Sequence, residues 1–233
     1  MGDTKDPTPP ITAVIFDLDG TLLDTEELST QAIQATVGRF GKTCTWDTKK
    51  KILGTRKATW TRIVVQDLEL EELLDPETLG KEWEEEMHRL APGVHKCRGA
   101  DAMSEGLASA GVIQAIATSS SKAAVQAKRT QHEDLFGRMR CVVTGDDPEV
   151  LEGKPAPDIY LLAARRAGVD PSECLAIEDA VLGVKSARAA GMRVVAVPGD
   201  ERVDRSLFWE AGATQVLQSL QDWDPSAWPW RAS

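Results

Sequence analysis

The sequence predicts an α/β protein: a doubly wound parallel sheet with an α-helical domain inserted after its first strand. Three observations predict it. Short apolar runs recur along the 233 residues without polar alternation, the pattern of strands buried on both faces. Helical patterns separate these runs, and strand, helix, strand order demands right-handed crossovers in one sheet. From Leu28 to His95 the rhythm stops and only helical patterns remain.

The first strand is Ala13–Phe16, in "AVIFDLDGTLLDTE". The next four are Ile113–Thr118, Cys141–Thr144, Leu175–Ile177 and Val194–Val197, followed by a weaker sixth over Thr214–Leu217. The clearest crossover helix is Pro157–Ala167, opened by the prolines of "KPAPD" and stopped by Gly168; another is Ala180–Ala190, stopped by Gly191. The inserted segment carries "LSTQAIQATVGRF" and "GKEWEEEMHRL" and reads as a helical lid. Its linkers fall near Asp24–Leu28 and Ala91–Gly99, which divides the chain into a core of residues 11–27 and 96–233 and a cap of residues 28–95. The tail "QDWDPSAWPWRAS" holds Trp223, Trp228 and Trp230 and is expected to pack over the sheet edge.

Composition removes several function classes. Lys and Arg total 27 against 37 for Asp and Glu, a formal charge of −10. With no basic cluster, a nucleic-acid backbone would be repelled. No apolar run reaches the roughly 18 residues of a membrane span. The first ten residues lack the basic and apolar regions of a secretory signal, and Asp6 stands where a myristoylation signal wants Ser or Thr. Cys44, Cys97, Cys141 and Cys174 lack zinc-site spacing and read as reduced thiols. A cytoplasmic monomer acting on a small molecule is the expectation.

In open α/β sheets, ligands bind beyond the carboxyl ends of the strands. The residues there form one chemical list: Asp17 and Asp19 after the first strand, Ser119 with Ser120 after the second, Lys154 beyond the third, Glu178 and Asp179 after the fourth. Clustered acids raise one another's pKa and cannot all ionise without compensation. A divalent cation removes the conflict, and a few oxygen ligands suggest Mg²⁺, which commonly meets a substrate phosphate as well. Ser119 to Ser121 also suit the N-terminus of the following helix, as a cap and a phosphate contact together.

In order and spacing, "DLDGT", "TSSS", "GKPAPDIY" and "IEDAVLGVKSARAAGM" resemble the four motifs of the haloacid dehalogenase-like (HAD) hydrolases, over almost the whole chain. The insertion resembles the cap of the β-phosphoglucomutase-like branch. Within it, "TWDTKKKILG", "GDDPEVLEGKPAPDIY" and "SLQDWDP" are most similar to the pseudouridine-5′-phosphatase and plant-type glycerol-phosphate phosphatase group.

The resemblance implies a Rossmann-like HAD core with a helical cap, and a Mg²⁺-dependent phosphatase acting on a small phosphate monoester. It implies Asp17 as the nucleophile that becomes an aspartyl phosphate, and Asp19 as the acid and base. Lys154 and Ser119 would stabilise and orient the phosphoryl oxygens. Asp17, Asp19 through its carbonyl, Glu178 and Asp179 would hold the metal. Ser120 and the cap residues Gly54, Arg56 and Lys57 of "LGTRKATW" would meet substrate, although Arg56 and Lys57 read equally well as solvated helix residues. Trp60 and Trp83 are expected in the cap core. A sugar-phosphate mutase is the alternative, but Ser29 stands where the mutase has a histidine. A non-catalytic binding module is the other alternative, and the complete motif set argues against it.

Overall fold

A computed structural model describes residues 9–52, 55, 57–200 and 202–231. Six strands, β1 (Ala13–Phe16), β2 (Ile113–Ala117), β3 (Val142–Val143), β4 (Cys174–Glu178), β5 (Arg193–Ala196) and β6 (Gln215–Val216), form one sheet in the order β3-β2-β1-β4-β5-β6. Every pairing is parallel. All four residues of β1 are fully buried, because the central strand has neighbours on both sides and helices over both faces. That accounts for its unbroken apolar run.

The helices over residues 25–90 are α1 (Thr25–Val37), α2 (Trp46–Ile52), α3 (Lys57–Asp67) and α4 (Pro76–Leu90). Then come α5 (Ala100–Ser109), α6 (Lys122–Arg129), α7 (Glu133–Gly137), α8 (Asp158–Ala167), α9 (Val181–Ala189) and α10 (Ser206–Glu210). Among the described residues, no strand lies between β1 and β2. Helix α8 starts one residue later than the sequence predicts, since Pro157 is its N-cap, and ends at Gly168 with φ 76°. Ser121 caps α6 by accepting from the Ala124 N–H at 3.3 Å.

Two apolar clusters cover the two faces of the sheet. A third, of Ile33, Val37, Trp60, Val64, Val65, Leu70, Leu74 and Leu79, is built from α1, α3, α4 and the connection between the last two. Helix α1 passes from one region to the other, with Leu28 against a sheet-face cluster and Ile33 in the third. The chain leaves and returns along two adjacent segments, where the Asp24 N–H donates to the His95 carbonyl at 2.8 Å and Leu23 bridges Lys96. Trp60 and Trp83 meet edge to face at 5.4 Å within the third cluster.

The tryptophan tail does not cover the sheet edge. Ile11 and Trp230 form a parallel bridge, and the Ile11 N–H donates to Pro229 O at 2.7 Å, just before the central strand β1. The edge strands are β3 and β6, while the tail finds its apolar partners on one sheet face with Trp223, Trp228 and Trp230. Among the described residues no helix is long and apolar enough to cross a membrane, and the four cysteines are unpaired.

Candidate active site

Strand order reverses direction around β1, which has β2 on one side and β4 on the other. Phe16 is in register with Ile116 and with Ile177, so the residues that follow the three strands emerge at one level. This is the switch-point crevice where open α/β sheets bind ligands. The Asp17 N–H still donates to the Ile177 carbonyl at 2.9 Å, so the carboxylate rides on the sheet itself.

Lys154 lies at the centre. Its Nζ donates to Asp17 Oδ1 and to Glu178 Oε1, both at 2.6 Å, and to the Ala117 carbonyl at 3.1 Å. Burial pulls this ammonium down, but the two carboxylates outweigh it and hold it above the usual lysine range. Glu178, 1 % exposed, is surrounded by donors: Lys154 and the Tyr160 hydroxyl, at 2.7 Å, on Oε1, and the Ala180 N–H on Oε2 at 3.3 Å. A side chain at position 183 would collide with this carboxylate, so Gly183 is what lets α9 approach it.

Asp19 is held separately. Lys128 pairs with Oδ1, while the hydroxyls of Ser120, at 2.6 Å, and Thr118, at 3.2 Å, donate to Oδ2. Burial favours the neutral acid, but the Lys128 charge and the bonds from Lys128, Ser120 and Thr25 hold Asp19 below the usual carboxylate range. Asp17 differs: burial pushes it up to about 7, helped by the charges of Glu178 and Asp19 and opposed by Lys154. Asp179 is held well above the usual range by burial and then by Asp17, Glu178 and Glu26. It lies against Gly20, whose φ of +87° and lack of Cβ leave room for the carboxylate.

Four carboxylates thus share two ammonium groups, Lys154 between Asp17 and Glu178 and Lys128 on Asp19, while burial and acidic neighbours hold Asp17 and Asp179 above the usual carboxylate range. Among the described residues no three acidic, His or Cys side chains form a ready-made metal cage. Lys154 engages both Asp17 and Glu178, and Lys128 engages Asp19. The donor set nevertheless fits Mg²⁺, which takes one or two carboxylates, keeps its waters and meets a phosphate. Asp17, Asp179 and the Asp19 carbonyl would hold it; Glu178, expected among the ligands, is instead engaged by Lys154, Tyr160 and the Ala180 N–H.

The other expected residues are distributed as follows. Ser119 is exposed, and the hydroxyls that reach Asp19 belong to its neighbours Thr118 and Ser120. Lys57 is exposed and pairs with Glu84 of α4 at 2.5 Å. Gly54 and Arg56 lie outside the described residues. Sequence reasoning missed Lys128 and Tyr160. For Lys128 a signal existed: it follows Val125 by one helical turn and shares its buried face.

A cavity of about 170 Å³ is lined by Glu26, Ser29, Thr30, Lys49, Thr55 and Trp60, among others. Its wall begins one residue beyond Thr25, whose side chain bonds Asp19. Lys49 Nζ lies 3.3 Å from Glu26 Oε2, and Ser29 accepts from Trp83 Nε1 at 3.2 Å.

Residues 14–197 match the model of the haloacid dehalogenase-like hydrolase family. The chain is 40% identical over 221 residues to "(DL)-glycerol-3-phosphatase 1, mitochondrial" of Arabidopsis thaliana, covering 94% of this chain and 73% of that one. It is 38% identical to a Drosophila melanogaster protein named "Probable pseudouridine-5'-phosphatase", with 92% of each chain covered. The crystal structure of CbbY from Rhodobacter sphaeroides in complex with phosphate superposes with a TM-score of 0.70 at 26% identity, covering 91% of this chain and 96% of that one.

Proposed function

The chain belongs to the haloacid dehalogenase-like hydrolases and is a phosphatase of that family, and from this premise we propose that it hydrolyses a small polyol or sugar phosphate monoester through an aspartyl phosphate on Asp17. The observation that carries the reading is Lys154 Nζ bridging Asp17 and Glu178 at 2.6 Å beside a separately held Asp19. One carboxylate is positioned to attack and another to move protons.

Asp17 attacks phosphorus and the ester P–O bond breaks; the departing alkoxide takes a proton from Asp19. A dianionic ester beside Asp19 raises its proton affinity, which offsets the pull of Lys128. In the second half, Asp19 takes a proton from water as that water attacks the aspartyl phosphate, and phosphate leaves with Asp17 restored. Lys154 stabilises charge on the phosphoryl oxygens, with Ser119 and nearby N–H groups orienting them. Asp17, Asp179 and the Asp19 carbonyl would hold Mg²⁺, which would supply positive charge that favours ionised Asp17 and a bound phosphate.

Cavity size supports a small alcohol. At about 170 Å³ it is smaller than the roughly 300–1,000 Å³ of drug-sized ligand pockets, which suits a three-carbon polyol better than a nucleoside. Glu26, Lys49 and the Ser29, Thr30 and Thr55 hydroxyls supply polar partners. Residues 28–95 act as the lid in this reading. The mutase alternative gains nothing from Ser29, which is engaged by Trp83.

A phosphate-release assay over a panel of monoesters tests the reading. Activity should need Mg²⁺, vanish with EDTA and vanish in Asp17→Asn. Turnover surviving Asp17→Asn would remove the assigned nucleophile.

A further inference from the structure

Lys128 is a lysine with 5 % exposure on a surface helix. Its Nζ pairs with Asp19 Oδ1 and donates to Ser120 Oγ at 2.9 Å, and Ser120 in turn donates to Asp19 Oδ2 at 2.6 Å. Thr118 donates to the same oxygen at 3.2 Å. Both carboxyl oxygens are therefore engaged, from the loop that follows β2 and from α6, so the group cannot rotate without losing a bond. Lys154 serves Asp17 and Glu178. The second buried lysine serves the second aspartate alone.

We propose that Lys128 is a positioning residue for proton transfer: it fixes the Asp19 carboxyl group in the orientation from which it reaches the ester oxygen and, later, the attacking water. The inference rests on the phosphatase reading above, which makes Asp19 the acid and base. Lys128 acts through Asp19 and makes no bond to the phosphoryl group. Its loss must therefore be felt where the departing oxygen needs a proton. An alkoxide needs one, because it leaves only as the alcohol; p-nitrophenolate leaves as a stable anion without one.

The test compares kcat/KM for glycerol 3-phosphate and p-nitrophenyl phosphate in wild type, Lys128→Met and Lys128→Arg. That ratio covers the steps up to transfer onto Asp17, so the later attack of water does not blur it. Lys128→Met should lose about a hundredfold on the alkyl ester and less than about tenfold on the aryl ester. Its inhibition constant for inorganic phosphate should stay within about twofold of wild type, and Lys128→Arg should recover part of the alkyl activity. Should Lys128→Met not fold, Lys128→Gln, which keeps two donors, carries the same comparison.

Equal losses on both esters, or a weakened hold on phosphate, overturn the inference, because the lysine would then act on the phosphoryl group or on the fold. Wild-type protein that hydrolyses neither ester overturns the phosphatase reading and this inference with it. Wild-type turnover with equal losses overturns the inference alone.

Discussion

The hydroxyl of Tyr160 donates to Glu178 Oε1 at 2.7 Å, and both residues are essentially inaccessible to solvent. Tyr160 is the single tyrosine of the chain. Burial, and then the nearby Glu178 charge, push its phenol well above the ordinary value, so it keeps its proton and remains a donor. Tyr160→Phe removes one of two donors from that oxygen and leaves Lys154 on it. We expect a loss of about 1.5–3 kcal/mol of stability, as for a hydrogen bond to a charged group, measured by urea denaturation, together with a several-fold lower kcat. Unchanged stability would mean that the hydroxyl does not hold Glu178.

Gly20→Ala tests how the metal ligands are assembled. At φ +87° a side chain is strained by roughly 1–2 kcal/mol, and its Cβ would collide with the Asp179 carboxylate. Activity should then require at least about tenfold more Mg²⁺ for half saturation, a shift of about 1.4 kcal/mol. A magnesium titration that matches wild type would separate Asp179 from the metal.

Cavity size predicts substrate rank. Glycerol 3-phosphate should exceed pseudouridine 5′-phosphate in kcat/KM by about tenfold or more, because one contains a three-carbon alcohol and the other a nucleoside. Lys49→Met should raise KM for the polyol ester about tenfold with little change in kcat, the mark of an interaction equal in ground and transition states. A preference for the nucleoside ester would refute the size argument.

The loop after β5 is joined to α2. The Arg202 guanidinium lies 3.7 Å from the centroid of the Trp46 ring, and Asp200 bonds the same guanidinium at 2.8 and 2.5 Å. Bonds from Arg202 hold the Asp200 carboxyl down at about 2. A depressed carboxyl stabilises the folded form above the ordinary range near 4, and that contribution fades as pH falls from about 4 to about 2. At this partly exposed site the electrostatic part is small. Trp46→Ala should speed amide exchange in α2 at neutral pH, and Asp200→Asn should do so while flattening the acid dependence between pH 4 and 2. Exchange in α2 indifferent to both changes would show that the contact does not hold the helix.

Much of the fold is legible because its signals are local. Ala13–Phe16 reads as a central strand since burial on both faces demands an unbroken apolar run, and Gly168 ends α8 because only a residue tolerant of positive φ closes that turn readily. The chemistry at strand ends follows from parallel register. Asp17, Ala117 and Glu178 reach one level because β1, β2 and β4 are aligned. The tail was harder to read, since tryptophans show that a surface will be covered and not which one.

What the sequence determined by itself is therefore the order of the strands along the chain, the helical insertion and the types of residue that meet at the sheet's carboxyl end. Only the tertiary structure decided which ammonium serves which carboxylate, with Lys154 between Asp17 and Glu178 and Lys128 on Asp19. A strand or helix is specified by neighbours a few residues away, whereas Lys128 and Asp19 are 109 positions apart and meet only once α6 packs beside β1 and β2. A lysine in "KAAVQAKR" resembles a surface lysine until the fold buries it.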